Sequence, residues 1–341
     1  MKKILVIGGT GTISSPVTMS LANNPDIDLY VLNRGKKKDS LPEYVHRIIG
    51  DINADYEGVK EALKDFEFDS VINFIIFMPE QAQKEIDLFA GKTKQYIFIS
   101  TVCVLDHSTS CNVDETMPYG NPYSAYGQNK EACEKLFLKA REEKGFPVTI
   151  VRPTQTYSDS RYPLSIKGKT YWSVASRMLR GKEVIIHGDG QNTWACTHAD
   201  DFAKLFMPLV CNQETIGEIY QVMNPEVYTW DMIYEALADA LGCEYKPVYI
   251  SEYLLDHSKT YDFVSSMHGD KHFSVIFDIS KAKQYCKDLQ FDIDIRKGAQ
   301  MYVDYMNAHP EEKKEDEAFD AWCDRTIENY KKFAAQFTES L

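Results

Sequence analysis

Short apolar runs rich in β-branched residues recur through the first half of the chain, and stretches with helical spacing separate them. The runs fall at 3–7, 29–32, 70–76, 95–100 and 147–151. They are continuous rather than alternating, which is the pattern of strands covered on both faces. Helices are predicted between them at 15–23, 56–66, 79–90 and 125–144. Strand and helix in strict alternation predict an α/β fold: a parallel sheet with helices on both faces.

The rhythm changes after about residue 155. Turn-rich segments surround a predicted helix at 172–180, a strand at 184–186 and a Gly-Asp-Gly turn at 188–190. A helix from 201, a strand at 219–222 and helices at 228–241 and 296–308 follow. The expected division is a domain at 1–155, to which a segment near 184–224 returns, and a smaller C-terminal lobe from 156–183 and 225–310. Residues 311–341 read as a charged helical tail.

The chain has 341 residues and a formal net charge of -13. That balance argues against a general nucleic-acid binder, which needs a basic surface. The one dense basic run early in the chain, Lys36-Lys37-Lys38, reads as a solvated loop. None of the eight cysteines is spaced as a zinc or dithiol pair, so no metal is expected. With no disulfide-like framework and no secretory signal in view, the expected compartment is the reducing cytoplasm. The apolar run at 4–7 is far too short to span a membrane, and none is expected as a partner.

Two constellations carry chemistry. Gly8-Gly9-Thr10-Gly11-Thr12-Ile13-Ser14 lies directly between the first strand and the first helix. Gly8 suits the tight turn, Gly11 allows close approach to a pyrophosphate, and a small residue at Ser14 allows helix–strand packing. Asn33 ends the second strand, where an acid would clamp the ribose of NAD. Asn33 does not repel a 2′-phosphate, and Arg34 can pair with one. That leans NAD(P) binding towards NADP. The second constellation is Tyr126-Gly-Gln-Asn-Lys130 at the start of a helix, with Thr101 ending a strand 25 residues earlier. A tyrosine is a poor base at neutral pH, and a nearby ammonium favours its phenolate.

The set resembles the extended and atypical short-chain dehydrogenase/reductases, the NAD-dependent epimerase and dehydratase group that includes nucleoside-diphosphate-sugar epimerases. The resemblance rests on Gly8-x-x-Gly11, Asp51-Ile52, Ile99-Ser-Thr101, Tyr126-x-x-x-Lys130, Val151-Arg-Pro153, and Gly188-Asp-Gly190 with His198-Ala-Asp-Asp201. It implies a Rossmann-type doubly wound parallel sheet with a smaller substrate lobe. By residue, it implies that the backbone of Thr12 and Ile13 touches the pyrophosphate and that Asp51 and Ile52 flank the adenine. Phe74 and Ile75 would line the cofactor channel. Thr101 would bond the substrate oxygen, Tyr126 would shuttle its proton, and Lys130 would hold the cofactor ribose. Thr154 and Gln155 would lie beside the nicotinamide or the substrate, and a homodimer is the usual assembly.

Departures from that pattern reshape the expectation. Ile75-Ile76-Phe77 stands where small residues are usual and should narrow the channel. Val102 and Cys103 replace the Asp and Glu of the sugar 4,6-dehydratases, removing the acid and base that elimination needs. Trp194 stands where an arginine commonly pairs with a substrate diphosphate. It would offer an apolar face to a sugar or another planar group, or else pack in the lobe core. Ordinary UDP-sugars should then bind weakly unless Arg161, Lys167, Lys169 or Arg177 compensates. His198 would reach the substrate or serve as a structural histidine. The expected activity is oxidation of a sugar or sugar-nucleotide hydroxyl with return of the hydride, giving an epimer, or net oxidation or reduction. The alternatives are a reductase of a small carbonyl compound and a weakly catalytic cofactor- or RNA-binding scaffold.

Overall fold

A computed structural model describes residues 1–36 and 41–341. Of the basic run, only Lys36 lies within the described residues. The chain forms two compact units, and the first comprises Met1–Thr156, Ala199–Pro225 and Phe277–Phe291. Its centre is a seven-stranded sheet of β1 (Lys2–Ile7), β2 (Ile27–Asn33), β3 (His46–Ile49), β4 (Ser70–Asn73), β5 (Tyr96–Ile99), β6 (Val148–Arg152) and β7 (Ile219–Gln221). The order is β7-β6-β5-β4-β1-β2-β3 and every pairing is parallel. This is the Rossmann-type doubly wound sheet, with its order reversing between β1 and β4, where ligands of such sheets bind.

The continuous apolar runs are wholly buried, as two covered faces require: Ile4–Ile7, all of β4, all of β5 and all of β6. The strand β3 was not legible as an apolar run. It lies at the sheet edge and reads His-Arg-Ile-Ile, with only one of its four residues not fully exposed. The strand β4 ends three residues before the apolar run does. Asn73 Oδ1 accepts the N–H of Ile75 at 2.8 Å, a turn that takes the chain out of the ladder.

The helices that flank the sheet include α1 (Ser14–Ala22), α2 (Tyr56–Ala62), α3 (Pro79–Phe89), α4 (Ala125–Lys144) and α5 (Ala199–Phe206). The start of α4 is fixed by Ser124, whose hydroxyl accepts the Gly127 N–H, and its end by Gly145 at φ 69°. A buried ion pair pins its middle to β6. Arg152 donates from Nε and Nη2 to the two carboxylate oxygens of Glu134, at 3.0 and 2.6 Å, and Tyr119 adds its hydroxyl at 2.7 Å.

The second unit comprises Tyr157–His198, Glu226–Ile276 and Asp292–Leu341. It differs from the expected lobe in three places, and the first is that residues 277–291 belong to the sheet unit instead. Residues 184–198 belong here rather than to the sheet domain, because Val184–His187 pairs in parallel with Pro247–Ile250. The expected tail is no appendage either. Helix Glu317–Glu339 packs on Ser173–Leu179 and Val184–His187 and buries Phe319, Trp322, Cys323 and Ile327. Arg177 ties it down through Asp320 at 2.5 Å and Asp324 at 2.9 Å. Among the described residues, no helix is long and apolar enough to cross a membrane.

Removing one partner of a buried ion pair leaves the other charged and unsolvated. Glu134→Ala is therefore expected to destabilise the first unit by roughly 3–5 kcal/mol. Denaturant unfolding followed by circular dichroism measures this; a loss under about 1 kcal/mol, the size of a surface pair, would contradict it.

Candidate active site

The register of the sheet gathers the site. Ile7 sits opposite both Leu32 and Asn73, and Asn33 opposite Ile49. The turn after β1, the end of β2, Gly50-Asp51 and Ile75 therefore meet at the carboxyl edge. They enclose a cavity of about 330 Å³ lined by Gly8, Thr10, Gly11, Asn33, Arg34, Lys36, Asp51, Ile52, Ile75 and Phe77, among others.

Two glycines of the turn have separate reasons. Gly8 has φ +80°, and a Cβ there would lie 2.5 Å from Ile75 Cγ2. Gly9 carries the close packing, since a Cβ would lie 2.7 Å from Thr18 Oγ1 on α1. Ser14 has a different task from the packing expected of it. Its hydroxyl accepts the Gly11 N–H at 2.8 Å and donates to the Gly8 carbonyl at 2.7 Å, bracing the loop. The N–H groups of Thr12 and Ile13 find no acceptor among the described residues. They stand at the start of α1, where an anion is favoured.

Asn33 turns its Oδ1 to the Gly35 N–H at 2.9 Å, and Asp51 turns its Oδ1 to the N–H groups of Asn53 and Ala54. Arg34 and Lys36 line the cavity without a carboxylate partner among the described residues. Lys36 was read as loop and is an unexpected part of the wall; its spacing of two from Arg34, just past a strand end, was the available signal. Phe74 does not line the cavity. Its ring packs on Phe206 of α5 at 6.3 Å, because alternate residues after β4 face opposite ways. Ile75 and Phe77 do line it.

Thr101, Tyr126 and Lys130 come together at the exits of β5 and β4. Thr101 caps a short turn, its Oγ1 accepting the Cys103 N–H at 3.2 Å, so its own O–H is left to donate. Asn121 Nδ2 donates to the Cys103 carbonyl at 2.9 Å. Gly127 lies against that same carbonyl, closer than any Cβ would permit. Gly127 thus lets α4 start hard against the Thr101–Cys103 turn. Tyr126 is 43% exposed beside it.

Lys130 is 2% exposed. Its ammonium donates to the carbonyls of Ile76 at 2.6 Å and Ile99 at 2.7 Å. The ring centroids of Phe77 and Phe98 lie 4.9 Å from Nζ, and that of Tyr126 lies 5.8 Å away. Burial lowers this lysine to a pKa of about 8. Phe77 belongs to both places, lining the cavity and standing 6.5 Å from the Tyr126 ring.

A nicotinamide dinucleotide is tested by the polar atoms left over. The hydroxyls of Ser100 and Thr154 and the side-chain oxygen of Gln155 are buried without a partner. They follow β5 and β6 at the carboxyl edge, where the register sets Ile99 opposite Val151. Unsatisfied buried acceptors and donors are costly unless a ligand or water meets them. With the unpaired N–H groups before α1 and the cavity cations, the residues present fit such a group.

The remaining two candidates lie in the second unit. Trp194 is 0% exposed and pairs in an antiparallel ribbon with Tyr228. It is a core residue and presents no face to a ligand, so stacking on a substrate is corrected to packing. His198 is also buried, bonded through Nε2 to Asp159 Oδ1 at 2.9 Å and edge-on to Tyr157 at 5.2 Å. This is the arrangement of a structural histidine.

Comparison with known proteins places the chain in context. It is 25% identical over 253 residues to human dTDP-D-glucose 4,6-dehydratase, covering 65% of this chain and 69% of that protein. It is 24% identical over 250 residues to the 2′-dehydrokanamycin reductase of Streptomyces kanamyceticus, covering 72% and 68%. The UDP-glucuronic acid 4-epimerase of Bacillus cereus, solved with UDP-glucuronic acid and NAD, shares the fold with a TM-score of 0.71. There the identity is 20%, over 90% of this chain and 99% of that one. A sequence profile matches residues 4–222, and by that match the chain belongs to the NAD dependent epimerase/dehydratase family.

Proposed function

We propose that the chain oxidises and reduces a hydroxyl-bearing carbon of a sugar or sugar nucleotide, with Tyr126 as the proton-transfer group. The observation that carries this reading is the buried Lys130 ammonium, 5.8 Å from the Tyr126 ring and in contact with a residue of the cavity wall. When bound, the nicotinamide cofactor accepts a hydride from that carbon and can return it. Gly8, Gly11, Thr12 and Ile13 would hold its pyrophosphate, and Asn33, Arg34, Asp51, Ile52 and Ile75 its adenosine half. Lys130 and Thr154 would serve the nicotinamide end. Lys130 favours the Tyr126 phenolate, which takes the hydroxyl proton while the Thr101 O–H donates to the same oxygen. Dehydration is disfavoured. Val102 is buried and apolar, and the nearest following acid, Asp106, has its Oδ1 engaged by Ser108. Epimerisation or net oxidation–reduction therefore suits the site better.

Replacing Tyr126 by Phe is expected to leave cofactor binding nearly intact and lower turnover roughly 100- to 10,000-fold. Full activity of Tyr126→Phe on the substrate would refute the mechanism.

Lys130 supplies a pH dependence with a definite sign. Its protonated form has three N–H groups, and two are committed to the Ile76 and Ile99 carbonyls. Above about pH 8 the neutral amine keeps only two. Dinucleotide affinity of the free protein is thus expected to fall as pH rises through this value. Fluorescence titration with NADH checks it, and Lys130→Arg should move the fall to higher pH.

Arg34 and Lys36 favour a 2′-phosphate, so NADP is expected to bind somewhat more tightly than NAD. Arg34→Ala should erase the preference and leave NAD affinity unchanged. Calorimetry finding tighter NAD binding in the unaltered chain would count against this preference.

A further inference from the structure

Phe77 belongs to two surroundings at once. It lines the cavity at the carboxyl edge and is 45% exposed. Its ring centroid also lies 4.9 Å from Lys130 Nζ, and that lysine is 2% exposed. The main chain on either side of the ring is held. Asn73 Oδ1 accepts the Ile75 N–H at 2.8 Å, and the Ile76 carbonyl accepts from Lys130. Gln81 Oε1 accepts the N–H groups of Phe77 and Met78 at 2.7 and 3.0 Å. A second ring, Phe98, is as close to the ammonium, but it is fully buried and packs on Phe137 at 4.9 Å. Of the two rings, Phe77 is the one that water or a ligand in the cavity can meet.

Such a ring acts on the ammonium in two opposed ways. Its face attracts a cation. Its bulk excludes water and so disfavours one. Exclusion wins here, because burial lowers Lys130 to a pKa of about 8 in spite of two aromatic faces and two carbonyl acceptors. The nearby charges do not account for that direction. Cys133 and Glu134, on the same helix, favour the charged lysine, and Glu134 is itself bound by Arg152 of β6. From α3, Glu80 acts on the Cys133 thiol, and Glu85 accepts the Tyr96 hydroxyl of β5 at 2.7 Å. Cys103 is the titratable residue of the turn at 102–104 on which α4 packs, and the Tyr126 ring lies 5.8 Å from Nζ. Exclusion of water governs the lysine, and Phe77 is its exposed part.

We propose that Phe77 is a positioning residue: its ring walls the Lys130 ammonium off from the cavity and so tunes the pair of Lys130 and Tyr126. That this pair transfers protons rests on the function proposed above; the shielding does not. A small residue at 77 would open the ammonium to water on the cavity side. A bulky apolar residue that is not aromatic would keep water out and lose the attraction of the ring face. Substitution can therefore separate the two effects.

NMR of isotope-labelled lysine Cε in the full chain reads the ammonium directly. Lys130→Arg assigns the resonance, and neither cofactor nor substrate is needed. Phe77→Ala is expected to raise the Lys130 titration midpoint by roughly one pH unit, tenfold in proton affinity. Phe77→Leu keeps most of the bulk and should leave the midpoint unchanged or lower. Phe77→Tyr keeps the ring and should keep the midpoint. An unchanged midpoint in Phe77→Ala overturns the shield, and so does a rise in Phe77→Leu or Phe77→Tyr as large as in Phe77→Ala. Melting temperatures show that each variant is folded, as its exposure leads one to expect. NADH titration separates the shield from the function. In Phe77→Ala the pH at which NADH affinity falls should rise with the lysine midpoint. A shifted lysine with NADH affinity falling at the old pH upholds the shield and counts against the role proposed for Lys130.

Discussion

The chemistry proposed for the first unit hangs on one buried ammonium. Lys130 bridges the carbonyls of Ile76 and Ile99, which lie just past β4 and at the end of β5. A desolvated cation is costly to bury, and two carbonyl oxygens with two aromatic faces offset that cost. The same bonds clamp α4 to the exits of β4 and β5. A residue expected to serve only the cofactor and the phenolate is thus a structural clamp as well. Its side chain spans from helix to sheet, so the position of Tyr126, one turn earlier on α4, depends on it.

The glycines around it make that clamp possible at close range. Gly127 lets α4 begin against the Cys103 carbonyl, and Gly9 lets α1 lie on β1. Both are contacts of backbone with backbone or with a short side chain, which leave no room for a Cβ. Ser14 then holds the loop shut from inside, so that the N–H groups of Thr12 and Ile13 remain for a ligand. A turn that satisfied all its own donors would have nothing to offer a pyrophosphate.

How much of this was legible follows from what each signal encodes. Apolar runs reveal buried strands, so β1, β2, β4, β5 and β6 stood out while the exposed edge strand β3 did not. The Tyr126–Lys130 spacing is a property of one helix, and it carried over directly. Facing is harder to read. Phe74 and Ile75 looked equivalent until the Asn73 turn set one on α5 and the other on the cavity. Long-range pairing is harder still. Nothing local in 184–198 distinguishes a strand that joins the main sheet from one that pairs with Pro247–Ile250. Trp194 was balanced between a stacking face and a core position, and only its complete burial decides for the core.

Charge makes the last connection between sequence and function. A net charge of -13 describes the whole chain, yet the first unit keeps a small cationic focus without a carboxylate partner among the described residues. It is Arg34 with Lys36 on the cavity wall. Local field, not net charge, decides where an anion settles, because charge at a partly enclosed site is poorly screened. An acidic surround repels polyanions such as nucleic acid, while the cations of this wall can still neutralise a short phosphoryl chain. The phosphates of the dinucleotide proposed above are of that size and charge. The acidic balance that argues against nucleic acid is therefore compatible with the phosphorylated cofactor proposed for the first unit.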